Sequence, residues 1–177
     1  HHTLCLYIDG RATDDHLAAS WSAALFLVDD RERWFYAGYQ TGRVITETAN
    51  AQYISAESNT NGAAELSAQA WALSIALEHY HIHRTANVRI RYDSKVAAQT
   101  AQSTCQAKKH PVLAAITSTL KVVLEKYVNL EFEHVYAHRK EPWNELADSI
   151  AKAAIEAPSL CTISPAPACL WSSYAIE

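Results

Sequence analysis

The chain has 177 residues, enough for one domain with a full core. Apolar residues make up 49% and charged residues 19%, which excludes a disordered or fibrous chain and describes an ordinary globular one. The net charge of −4 argues against tight unaided binding of DNA or RNA, although divalent metal on an acidic cluster would reverse the local sign. No apolar run is long enough to span a bilayer, and no basic-then-apolar leader is present. Cys5, Cys105, Cys161 and Cys169 are scattered without a C-x-x-C pair, so neither a zinc site nor a disulfide framework is expected. An intracellular, reducing setting is the expectation that follows.

In chain order, residues 3–9 alternate as a strand, with Leu4, Leu6 and Ile8 on one face and Cys5, Tyr7 and Asp9 on the other. Residues 22–28 and 33–40 read as two further strands joined by a polar turn, a hairpin. Residues 41–59 are polar and less regular, with a short extra strand expected at 51–54. Asn59-Thr60-Asn61-Gly62 is a loop signal. A helix is predicted over 63–80, buried along Leu66, Ala70, Leu73, Leu77 and Tyr80. Residues 88–92 predict a strand ending in Asp93-Ser94, followed by a helix over 95–103. Pro111 opens another helix, with Val112, Leu113, Ile116, Leu120, Val123 and Leu124 as its core stripe. A strand over 130–136 and a helix reaching 156 complete the pattern. Residues 3–156 therefore form one domain, and 157–177, with Pro158, Pro165 and Pro167, read as a tail or linker. The order predicts an α/β layer fold with a mixed sheet, antiparallel at its hairpin edge and parallel later.

The acids fall in a pattern. Asp9 and Asp93 end strands, while Glu65 and Asp148 open helices. Each has a bland reading, as a turn residue or as an acid complementing a helix dipole. Together they occupy the positions that line the ligand crevice of an open α/β sheet. Four carboxylates brought together repel one another without a cation. Hard oxygen ligands suit Mg²⁺ or Mn²⁺, and a pair of such ions can activate water for phosphodiester hydrolysis. His138 precedes Asp148 by ten positions, and Asn144 shares a helix face with Asp148. Alone, His138 would be a surface histidine. Trp143, in the same stretch, reads as a packing residue.

Four motifs carry a family resemblance: Tyr7-Ile8-Asp9-Gly10, Asn61-Gly62-Ala63-Ala64-Glu65-Leu66, Tyr92-Asp93-Ser94, and His138 with Asn144-Glu145-Leu146-Ala147-Asp148. In this order the chain resembles type 1 ribonuclease H domains, particularly those of retroelement reverse transcriptases. The resemblance implies a three-layer fold whose five-stranded mixed sheet has its first three strands antiparallel and helices on both sides. It implies a metal-dependent endonuclease cutting the RNA strand of RNA–DNA hybrids. Asp9, Glu65, Asp93 and Asp148 would hold two Mg²⁺, with Mn²⁺ a substitute, and His138 would assist proton transfer or product release. Gly10, Asn61, Ser94 and Asn144 match substrate-contacting positions, and the 2′-hydroxyl distinguishes RNA from DNA at such a site. An adjacent reverse transcriptase domain is the implied partner, and no membrane is. The chain departs from the family pattern at Lys140, where a glycine is usual, and at Gly62, where an asparagine is common. It also lacks a long basic protrusion between Asp93 and His138. A non-catalytic scaffold of the same fold is the alternative; loss of an acid would favour it, and all four are present.

Overall fold

The computed structural model describes residues 2–95, 97–98, 109–136 and 141–158. Five strands form one sheet: β1 (His2–Ala12), β2 (Ala19–Asp29), β3 (Trp34–Arg43), β4 (Asn87–Tyr92) and β5 (Asn129–His134). The described helices are α1 (Asn61–His83), α2 (Pro111–Glu125) and α3 (Pro142–Glu156). The strand order is β3-β2-β1-β4-β5, with β1–β2 and β2–β3 antiparallel and β1–β4 and β4–β5 parallel. This is the expected mixed sheet.

β1 is central because both of its faces are apolar. Leu4, Leu6 and Ile8 join Trp21, Ala23 and the α1 side chains in the larger core. Cys5 and Tyr7 join Ala24, Phe26 and Ala147 of α3 in a second core on the opposite face. Helices α1 and α2 thus cover one side of the sheet and α3 the other. α1 is buried on nearly all sides from Ala63 to Leu77, being packed between the sheet and α2. A buried helix needs no single apolar stripe. Trp71 of α1 stacks on Trp21 of β2 with ring centroids 4.7 Å apart.

Polar contacts fix how α3 lies on the sheet. The hydroxyls of Ser20 and Ser22 donate to the carbonyls of Ala151 and Ala147, at 2.5 and 2.6 Å. The guanidinium of Arg43 donates to the carbonyls of Ala154 and Ile155, at 3.0 and 2.7 Å. α3 has no basic residue in its own last turn, so β3 supplies the cation its C-terminus favours.

Two expectations need correction. Residues 51–54 form no strand; Asn50 accepts the N–H of Gln52 through its side chain (2.9 Å) and that of Tyr53 through its carbonyl (3.0 Å), closing turns instead. Val112 is 52% exposed, because α2 presents Leu113, Ala114, Thr117, Leu120 and Leu124 inward. At the end of α1, His79 is half-buried and bonded to Thr85 Oγ1 at 3.0 Å, while His81 and His83 are exposed. Most of the helix predicted over 95–103, and the tail beyond 158, lie outside the described residues. Among the described residues, no helix is long and apolar enough to cross a membrane.

Candidate active site

The site lies where β1 and β4 run side by side in the same direction. Their pairing ends at Tyr7 and Arg91, so Asp9 and Asp93 each follow two residues later. β1 does not stop at Asp9 as its pattern suggested. It continues to Ala12 against β2, with Asp9 opposite Ser22. Gly10 follows because no side chain fits there: a Cβ would lie 2.3 Å from the backbone carbonyl carbon of Ala64 and the nitrogen of Glu65. That close approach brings the first turns of α1 onto the strand.

Thr60 caps α1, its hydroxyl accepting the N–H of Ala63 at 3.2 Å. The helix begins at Asn61, two residues earlier than the periodicity indicated. Glu65 is therefore in the second turn, and no acid occupies the first. Dipole complementation does not account for it. Likewise α3 begins at Pro142 and its first-turn acid is Glu145, leaving Asp148 one turn further in.

Asp9, Glu65 and Asp93 each offer a carboxylate oxygen within 4.8 Å of the others. They line a cleft of about 430 Å³ together with Asn61, Asn144 and Asp148. Asp9 is only 6% exposed. Its burial, then the charges of Asp93 and Asp148, push its carboxyl up to about 8. Burial and the charge of Asp9 hold Glu65 well above the usual carboxylate range, while the N–H of Gly10 pulls the other way. A hard divalent ion would offset the mutual repulsion of these carboxylates and fits their all-oxygen donor set.

The remaining predicted residues are placed as follows. Asn144 is buried, and its amide nitrogen lies 3.5 Å from Asp93 Oδ2, while its own oxygen has no partner among the described residues. Asp148 binds Arg11 at 2.5 Å and also reaches Asp9. Asn61 accepts the N–H of Ala12 at 2.9 Å, which commits its side-chain oxygen to the end of β1. Ser94 accepts the N–H of Ala97 at 3.4 Å. His138 lies outside the described residues. Trp143 packs on Phe26, ring centroids 4.8 Å apart. Sequence reasoning missed Arg11. The signal was present, since positions two apart share a strand face and Arg11 must point with Asp9.

Fold and site together define an α/β protein with a carboxylate crevice suited to divalent metal. The family model for RNase H matches residues 2–156, and the chain belongs to that family; its enzyme class is ribonuclease H. Solved structures share the fold at low identity. RNase H1 from the halophilic archaeon Halobacterium salinarum NRC-1 is 18% identical with a TM-score of 0.60, covering 87% of this chain and 98% of that one. An N-terminal RNase H domain from Mycobacterium tuberculosis is 17% identical with a TM-score of 0.62, covering 90% and 97%. LC11-RNase H1 in complex with RNA/DNA hybrid is 18% identical with a TM-score of 0.57, covering 86% and 99%. No curated protein matches the chain.

Proposed function

We propose that this chain hydrolyses the RNA strand of RNA–DNA hybrids with two divalent cations, Mg²⁺ or in its place Mn²⁺, held by Asp9, Glu65, Asp93 and Asp148. The observation that carries the reading is the convergence of Asp9, Glu65 and Asp93 oxygens within 4.8 Å in an open cleft. Such ions, when bound, supply an activated water and neutralise the charge that develops on the phosphate. The chain's own residues set the rest. Asp9, held by the central strand, interacts with both Asp93 and Asp148 and would hold a cation together with them. Asn144 orients Asp93 through its amide, as a supporting hydrogen bond does for a metal ligand. Glu65, on α1, is assigned to the attacking water or the ribose 2′-hydroxyl. Gly10, Asn61, Ser94 and Asn144 are assigned to the hybrid backbone, and His138 to proton transfer or product release.

The hybrid in the LC11-RNase H1 complex supports the choice of substrate. The net charge of −4 supports a domain whose grip on nucleic acid is completed by a neighbour, which suits a retroelement polyprotein with an adjacent reverse transcriptase domain. The test is cleavage of labelled RNA–DNA hybrid with Mg²⁺, beside Asp93→Asn and matched RNA–RNA and DNA–DNA duplexes. RNA cleavage confined to the hybrid and lost in the variant is the expected result. Absence of cleavage with either metal at low salt, despite hybrid binding, would refute it.

A further inference from the structure

Arg11 stands on β1 two residues beyond Asp9, and its Nη1 meets Asp148 Oδ1 at 2.5 Å. Three of the four acids form the oxygen cluster, and Asp148 lies outside that set. The fourth acid already has a cation. A guanidinium keeps its charge at any working pH, so this pair breaks by displacement and not by loss of a proton. A divalent ion and a guanidinium cannot share the Asp148 carboxylate at close range without repelling each other.

We propose that Arg11 is a built-in competitor for the cation site: it holds Asp148 until a divalent ion displaces it, and so sets how readily the fourth carboxylate joins the metal. The inference rests on the cation site proposed above and adds a residue to it. An ion entering the cleft meets Asp9, Glu65 and Asp93 free of any such partner among the described residues. Asp148 is available only in the fraction of molecules in which Arg11 has let go, and apparent affinity falls with that fraction. Both side chains are 44% exposed, so the competition is modest. A pair of this kind corresponds to an effect of about two- to five-fold in binding. Once displaced, Arg11 remains at the cleft wall, where a guanidinium suits a phosphodiester oxygen.

The test is calorimetric titration of Mn²⁺ into the full chain without nucleic acid, for wild type, Arg11→Ala, Asp148→Asn and the double variant. Arg11→Met, which keeps the apolar stem, is measured alongside in case Arg11→Ala misfolds. Either Arg11 variant is expected to lower the Mn²⁺ Kd about two- to five-fold, and the gain is expected to vanish with Asp148→Asn present. An unchanged or weaker Kd overturns the proposal. So does a gain that survives Asp148→Asn, which would mark a general charge effect and not competition for this carboxylate. If wild type and all variants bind no Mn²⁺, the cation site itself fails, and this inference with it.

Discussion

The hydroxyl of Tyr7 donates to Glu141 Oε1 at 2.8 Å, joining the central strand to the residue that precedes α3. The same hydroxyl bonds Arg91 Nη1, whose guanidinium lies 5.2 Å over the Tyr7 ring and 5.4 Å over Trp34. Burial and the Glu141 contact keep the phenol protonated, so it can serve as a donor at any working pH. Removing the hydroxyl leaves partly buried charged groups less satisfied, at about 1–3 kcal/mol. Tyr7→Phe and Glu141→Gln are each expected to lower urea-denaturation stability by about that amount, and their double variant by less than the sum. Additive losses would show that the two side chains act independently.

Gly10→Ala tests the close approach of β1 and α1. The new methyl collides with backbone at 2.3 Å, where no flexible side chain can yield. Overpacking of this kind costs about 1–3 kcal/mol. Because the backbone that must move carries Glu65, hybrid cleavage is expected to fall further than the melting temperature alone explains. The two are compared at a temperature where the variant remains folded.

The protons held by the acid cluster give stability a pH dependence. Asp9 titrates near 8 in the folded chain and Glu65 is raised as well, while both lie near 4 when unfolded. Between these values the folded state binds more protons than the unfolded one. Stability without metal is therefore fullest at acid pH, set against other groups, and falls as pH rises toward 8. The slope is at most about 1.4 kcal/mol per pH unit for each proton. Urea denaturation from pH 5 to 9 in a chelator should show this decline. Saturating Mg²⁺ or Mn²⁺ should flatten it, and an identical slope with metal would separate the decline from the cluster.

The stack of Trp71 on Trp21 joins α1 to the sheet well inside the larger core. Trp71→Ala is expected to cost about 3–5 kcal/mol in chemical denaturation, and Trp71→Phe clearly less. An equal loss in both would point to the geometry of the indole pair and not to its volume.

The sequence made legible what depends on short range. Asp9 and Asp93 stood out because each follows an apolar run, and parallel pairing of those runs sets them side by side. Glu65 followed from a loop signal and a helix. What it hid depends on long range or on local competition. The Arg11–Asp148 pair spans 137 positions and needs both the strand order and the docking of α3. The region around Gln52 looked extended by composition, but the side chain of Asn50 offered a turn that won. Val112 looked like core because it is apolar and neighbours Leu113, but α2 packs through Leu113, Ala114, Thr117, Leu120 and Leu124 and leaves it outside. Glu65 and Asp148 looked like ordinary helix-opening acids because helix starts are hard to place within a turn.

β1 has one further consequence. It touches β2, β4, α1 and α3, so every wall of the cleft is referred to the first strand of the sheet. The last acid, at position 148, arrives near the end of the domain and is set in place by serines on β2 and an arginine on β3. A nascent chain cut short before α3 could complete its sheet, yet it would carry three acids and no fourth. The contact that ties Asp148 to the end of β1 thus joins positions 137 apart, a long-range closure of the kind that slows folding.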